Sequence, residues 1–223
     1  MAEWNETPTE HDRRKRQYLY QLLNVAQMRL VGASMAGLKA ELFDTLRELF
    51  GNSNSWLEDI SLTVIPNTKS FQIQVTSGEI LRLIGVIDVN LVPQPASMPA
   101  VGTIFFPNPY SIVQTMTVRV SKNVVDPFEH KGVPTFPLVF LSVHGGVILD
   151  GLLGRMYSHP NSSYGNDGKM AYHLGRFRDG VAQVRADAMR SNTVGGNAWH
   201  YPQQYRTRGQ RGGVSVGNAQ YFQ

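Results

Sequence analysis

The chain has 223 residues, 42% of them apolar, and no cysteine, which excludes disulfide scaffolds, thiolate metal sites and cysteine nucleophiles. Its formal net charge of +4 is modest, so where the charge lies says more than its total. The basic cluster Arg13-Arg14-Lys15-Arg16 is offset by Glu3, Glu6, Glu10 and Asp12. The apolar stretch after it is broken by Gln21, Asn24 and Gln27, unlike a signal peptide, and no run reaches the roughly 18 apolar residues of a membrane span. These features predict a soluble intracellular product, made in the cytoplasm.

Residues 18–30, YLYQLLNVAQMRL, predict a helix leading out of a polar N-terminal arm. Ser34 then offers a cap, and Met35, Leu38, Leu42, Leu46, Leu49 and Phe50 recur at spacings of three and four, predicting a second helix that stops at Gly51-Asn52. Trp56 falls in a polar turn. From Ile60 the period changes to two. Ile60, Leu62 and Val64, then Phe71, Ile73 and Val75, read as a hairpin joined by the long loop Pro66 to Ser70. Further strands are predicted at Ile80 to Asp88, Val101 to Phe106, Ile112 to Val120 and Leu138 to His144. Eight of the twelve prolines lie between Pro93 and Pro137, a density that opposes helix and suits short strands joined by stiff loops.

At Gly145 the helical period returns. Val147, Ile148, Leu152, Leu153 and Met156 line a short helix that His159-Pro160 ends. Asp167 is a candidate cap for the strongest periodic signal in the chain: Met170, Leu174, Phe177, Val181, Val184 and Ala188, one narrow apolar seam suited to packing within the bundle or against a neighbouring subunit. Beyond Gly195-Gly196 the composition turns to Gly, Gln, Arg and Tyr, too polar to pack and read as an arm. Neither helical part can hide its stripe alone, so the two must meet. The expected fold class is α+β, a small α-helical bundle with an inserted all-β module and an extended C-terminal arm. Its expected divisions are 1–59, the N-terminal arm and first bundle helices; 60–144, the β module; 145–200, the C-terminal bundle helices; and 201–223, the arm.

Catalytic patterns are sparse. Gly213-Val214-Ser215-Val216-Gly217 matches a serine hydrolase elbow, but the acid and histidine that should follow the serine are missing from the six residues left. His144-Gly145-Gly146 mimics an oxyanion-hole motif over three residues only. The six histidines show no i, i+3 or i, i+4 pair, and Asp150 and Asp167 form an acid pair only if the fold brings them together. No catalytic residue, cofactor or metal site is expected. From Lys169 to Arg211, Lys169, Arg176, Arg178, Arg185, Arg190, Arg206, Arg208 and Arg211 face only Asp179 and Asp187, a surplus of six positive charges. Interleaved with Trp199, His200, Tyr201 and Tyr205, they suit a nucleic-acid backbone and stacked bases; a solvated helix face with a tail that meets an acidic protein partner is the plainer account of them.

The stretch Leu152 to Arg185, LLGRMYSHPNSSYGNDGKMAYHLGRFRDGVAQVR, followed by NAWHYPQQYRTRGQRGG, resembles the C-terminal half of tailed-bacteriophage head-to-tail adaptor (head-completion or connector) proteins. The shared features are a helix closed by Tyr157-Ser158-His159-Pro160, a Tyr-containing loop, a long amphipathic helix, then a Trp-x-x-Pro element before an Arg/Gly tail. GASMAGLKAELFDTLRELF fits the family's opening helix. The resemblance implies a virion structural protein at the head–tail junction. It would form a homo-oligomeric ring, commonly of twelve copies, between the portal protein and a tail or nozzle protein, with DNA passing through its channel and no membrane involved. It also implies that the C-terminal arm reaches the portal. Tyr205, Arg206, Arg208, Arg211, Tyr221 and Phe222 are the expected docking residues, since aromatic and Arg anchors carry most affinity in such segments. The β module departs from the small all-helical members of that family.

Overall fold

The helical periodicity of the chain's two ends and the alternation of its middle separate into two hydrophobic cores in the computed structural model, which describes residues 10–125, 136–160 and 162–191. Helix α1 (Glu10–Arg29) begins eight residues before the predicted start and takes in the basic cluster, with Arg14 paired to Glu10 one turn away. Helix α2 (Met35–Ser53) starts where Ser34 accepts the Gly37 N–H at 3.1 Å. It runs past the predicted stop and ends at Asn54, which adopts φ 52° and donates its N–H to Phe50 O at 3.1 Å.

Seven antiparallel strands follow among the described residues. β1 (Leu57–Val64), β3 (Glu79–Asp88), β4 (Pro93–Gln94) and β7 (Gln114–Asn123) form one sheet in the order β1-β7-β3-β4. β2 (Ser70–Gln72), β5 (Ser97–Ala100) and β6 (Thr103–Phe105) form a second, ordered β2-β6-β5. The two sheets share a core of Leu62, Val64, Phe71, Ile80, Val86, Ile104, Phe106, Met116, Val118 and Val120. The expected hairpin of β1 with β2 is therefore wrong: β1 pairs with β7, fifty or more residues away, and β2 with β6. Local alternation reports a strand's faces and carries no information about its partner.

A second correction concerns the module's far boundary. Leu138 to His144, predicted as a strand, is the first third of helix α3 (Leu138–Tyr157), with Pro137 at its N-cap in extended conformation. Among the described residues the strands thus end at Asn123, and residues 138–144 belong with the helices. Helix α4 (Asp167–Ser191) completes the bundle. Its cap is Asn166, whose Oδ1 accepts the Lys169 N–H at 2.9 Å; Asp167, the expected cap, is the first helical residue.

The two helical parts do meet. Leu19, Leu23 and Leu30 from α1 and its end, Leu38, Leu42, Leu46 and Leu49 from α2, Ile148 and Leu152 from α3, and Phe177 and Val184 from α4 form one core. Each fully buried leucine contributes on the order of 2 kcal/mol relative to exposure. By length and composition α3 could cross a membrane. Here it is the central core helix, packed on α1, α2 and α4.

Candidate functional site

The α3–α4 hairpin holds the apolar seam that the sequence singled out. Small residues set its spacing. A Cβ on Gly151 would lie 2.5 Å from Thr45 Cγ2 and 2.7 Å from Phe177 Cδ2, and one on Gly154 would lie 2.7 Å from Leu174 Cδ2. The two helices consequently approach more closely than larger side chains allow. Of the expected seam, Phe177, Val181 and Val184 are buried within the chain's own core, while Met170 and Leu174 are half-buried along its rim. The seam is thus used inside this chain.

A polar cluster crosses the same interface. Asp150, buried on α3, meets two side chains of α4: it accepts a hydrogen bond from His173 Nδ1 at 2.8 Å and forms an ion pair with Arg176, Nε to Oδ2 at 3.1 Å. The His173 ring stacks on Tyr157, with centroids 5.6 Å apart, and meets the edge of Tyr172 at 5.1 Å. Arg176 Nη1 also donates to the Tyr172 hydroxyl at 3.0 Å, and the Lys169 ammonium lies 5.4 Å from the Tyr157 centroid. An Asp–His pair can orient a general base. In this fold, however, an aromatic ring covers the imidazole face and a guanidinium shares the carboxylate. The cluster ties α3 to α4, and deleting one partner would leave a buried charge uncompensated. Periodicity could not foresee it, because Asp150 and His173 are distant in sequence. The partners of Asp150 are His173 and Arg176, and Asp167 is not among them.

Two further cross-links close the bundle. His159 Nε2 lies 2.8 Å from Glu41 Oε1, which anchors the Tyr157-Ser158-His159-Pro160 element to α2, and Arg155 pairs with Glu48 one turn earlier on α3. His144 faces Asp187; burial holds its pKa below the usual histidine range, with the aspartate opposing. The His144-Gly145-Gly146 triplet lies inside α3, where its amides belong to the helix, so it forms no oxyanion hole. Among the described residues no group of three or more His, Asp or Glu side chains gathers into a metal-binding arrangement.

The junction between helices and β module is built around Trp56, which the sequence placed in a polar turn. It is buried instead, its ring 5.4 Å from Phe50, with the Lys122 ammonium 4.4 Å above it. Lys122 in turn bonds Glu58 at 2.6 Å and Ser77 at 3.3 Å. Burial pushes Glu58 upward, but hydrogen bonds from Lys122 and Thr76 and the Lys122 charge outweigh it, leaving the carboxyl below its ordinary range. Gly78 completes the junction at φ +73°, where a Cβ would fall 2.5 Å from Asn123 O and 2.9 Å from Trp56 Cη2.

The basic residues of α4, Lys169, Arg176, Arg178, Arg185 and Arg190, are all exposed. Arg176 is engaged with Asp150, and Arg190 with Asp187 at 3.3 Å. The expected docking residues Tyr205, Arg206, Arg208, Arg211, Tyr221 and Phe222 lie outside the described residues, as do Trp199, His200, Tyr201 and Ser215. No protein-family model matches this chain, and no curated protein matches it.

Proposed function

We propose that this chain is a structural head-to-tail adaptor of a tailed bacteriophage, acting by assembly and without catalysis. It forms a ring beneath the portal protein and receives a tail or nozzle protein on its other side. The observation that carries the reading is the helical hairpin made by the very stretch that resembles such adaptors. Tyr157 closes α3 by stacking on His173, His159 fastens the turn to α2, and α4 is a single long helix of 25 residues. A rigid bundle of this kind, with a β module mounted on it through a buried Trp–Lys junction, suits a part that must hold its shape between two larger assemblies. The C-terminal arm is the proposed portal-docking element, with Tyr205, Arg206, Arg208, Arg211, Tyr221 and Phe222 as its anchors. Deleting residues 205–223 is expected to abolish portal binding and leave the thermal melt of the remainder unchanged. Undiminished binding by the truncated chain would rule the arm out.

The exposed basic side chains Lys169, Arg176, Arg178, Arg185 and Arg190 on α4 favour a second reading, a nucleic-acid-binding protein that grips the backbone with this helix and the Arg/Tyr tail. On that reading duplex or single-stranded DNA binds with an affinity that falls steeply with salt. An adaptor whose channel admits DNA shows weak binding at most, and only at low salt.

A further inference from the structure

The end of the β module remote from the helices gathers exposed apolar side chains from three loops. Register places the loops together: Val64, the last residue of β1, faces Gln114, the first of β7, and Asp88, the last of β3, faces Met116. The segments 65–69, 89–92 and 107–113 therefore meet at one end of the sheet. Hydrogen bonds stitch them into a frame. Asn67 N donates to Tyr110 O at 2.9 Å, the Tyr110 hydroxyl to Gln94 Oε1 at 3.1 Å, and Gln94 Nε2 to Asp88 Oδ2 at 2.9 Å. From it project Ile65, Val89, Leu91, Val92, Ile112 and Val113, each at least 50% exposed.

Two observations separate this tip from ordinary exposed aliphatics. Leu91 stands at φ +62°, a conformation normally left to Gly or Asn, yet the residue is 63% exposed and belongs to neither core. The turn that holds it has already bonded its own amides. Asn90 N and Val92 N donate to Asp88 Oδ1 at 2.8 and 2.9 Å, Leu91 N to Asp88 O at 3.0 Å, and Asp88 N to Val92 O at 3.1 Å. Such a turn can leave water without stranding those donors. The three segments also carry a single charged residue, Lys69, so apart from the Asp88 carboxylate held inside the clasp there is little charge to desolvate.

We infer that this tip is a docking surface for a protein partner whose matching surface is apolar and uncharged; resting on the adaptor reading, that partner is the first tail protein below the ring. A bilayer is the poorer match, because membrane-inserting tips surround their apolar residues with Lys, Arg and Trp, and these segments hold one lysine and no tryptophan.

Leu91→Gly is the discriminating variant, since glycine accepts the positive φ, keeps the turn and removes only the side chain; Ile112→Ser probes a second loop. The full-length protein is mixed with the portal and the first tail protein of the same genome. Wild type is expected to seat on the portal and capture the tail protein. Both variants are expected to form the same ring and bind the tail protein roughly tenfold more weakly or worse. Variant rings that capture it as well as wild type would overturn the role of the tip while leaving the adaptor reading in place; absence of any ring from wild type would take both down. A photo-cross-linking residue at position 91 should label the tail protein. Labelling of a second copy of this chain, or tip-dependent binding to neutral phosphatidylcholine vesicles, would contradict the inference.

Discussion

Arg119 and Asp59 face each other across β7 and β1 as a two-pronged ion pair, Nε to Oδ1 and Nη2 to Oδ2, both at 2.6 Å. The guanidinium holds the Asp59 carboxyl below its ordinary value, against a smaller opposing effect of burial. A carboxyl depressed in the folded state contributes stability that is complete above its unfolded pKa, about 3.9, and is lost as pH falls through the lower folded value. Because Asp59 is 44% exposed, salt screens the pair and the contribution is modest. Acid titration of wild type against Asp59→Asn, followed by urea unfolding, should show the two converging as pH falls below about 3.9, with wild type ahead at neutral pH. A difference that persists unchanged to pH 2 would contradict this assignment. Gly151 makes the opposite kind of demand, for space. Gly151→Ala drives a methyl into Thr45 and Phe177 and should cost about 1–3 kcal/mol, read as a lower urea midpoint at unchanged m. Residue-level readings from sequence succeed where the cause is local, as with the Ser34 cap. They fail at Trp56 and Asp150, whose environments are assembled from Phe50 and Lys122, and from His173 and Arg176, all remote along the chain or across an element boundary.

At the scale of elements, α3 shows how a sequence of Leu, Val and Phe misleads. Leu138 to His144 is short, apolar and rich in β-branched and aromatic residues, and it follows a proline-dense region, so the strand reading has the better local case. Its helix is imposed by packing: Phe140 and Leu141 are buried against the bundle while Val139 and Val143 face solvent. Pro137 supplies a fixed extended start. Val143→Pro tests the point, because Val143 is 66% exposed and no core contact is lost. Within a helix the substitution removes the bond to the carbonyl four residues back and should cost about 3 kcal/mol or more; at an exposed strand edge it would be nearly silent. Urea unfolding with far-ultraviolet circular dichroism distinguishes the two. The second miss, the β1–β2 hairpin, has a different origin. The alternation of β1 and β2 correctly marked both as strands, but pairing is decided by the sandwich as a whole, in which β1 completes one sheet and β2 the other. The long helix α4 was legible almost residue by residue, since only a helix keeps residues three and four apart on one face over several turns.

For the molecule as a whole, the layout of helices, strands and helices was readable because each period is carried by many residues, and the demand that the two helical parts share a core follows from their stripes alone. What the sequence could not supply was the join. Trp56, Gly78, Glu58 and Lys122 lock the β module to the bundle through contacts that no periodicity announces. The proposed adaptor role depends on that rigidity, for a module hinged loosely on the bundle could not present a fixed tip to a tail. The most direct test is electron microscopy of the full-length protein mixed with the portal encoded by the same genome. An added ring is expected on one end of the portal, with the helical bundle against the portal and the β modules pointing away. Bare portals at saturating protein would contradict it.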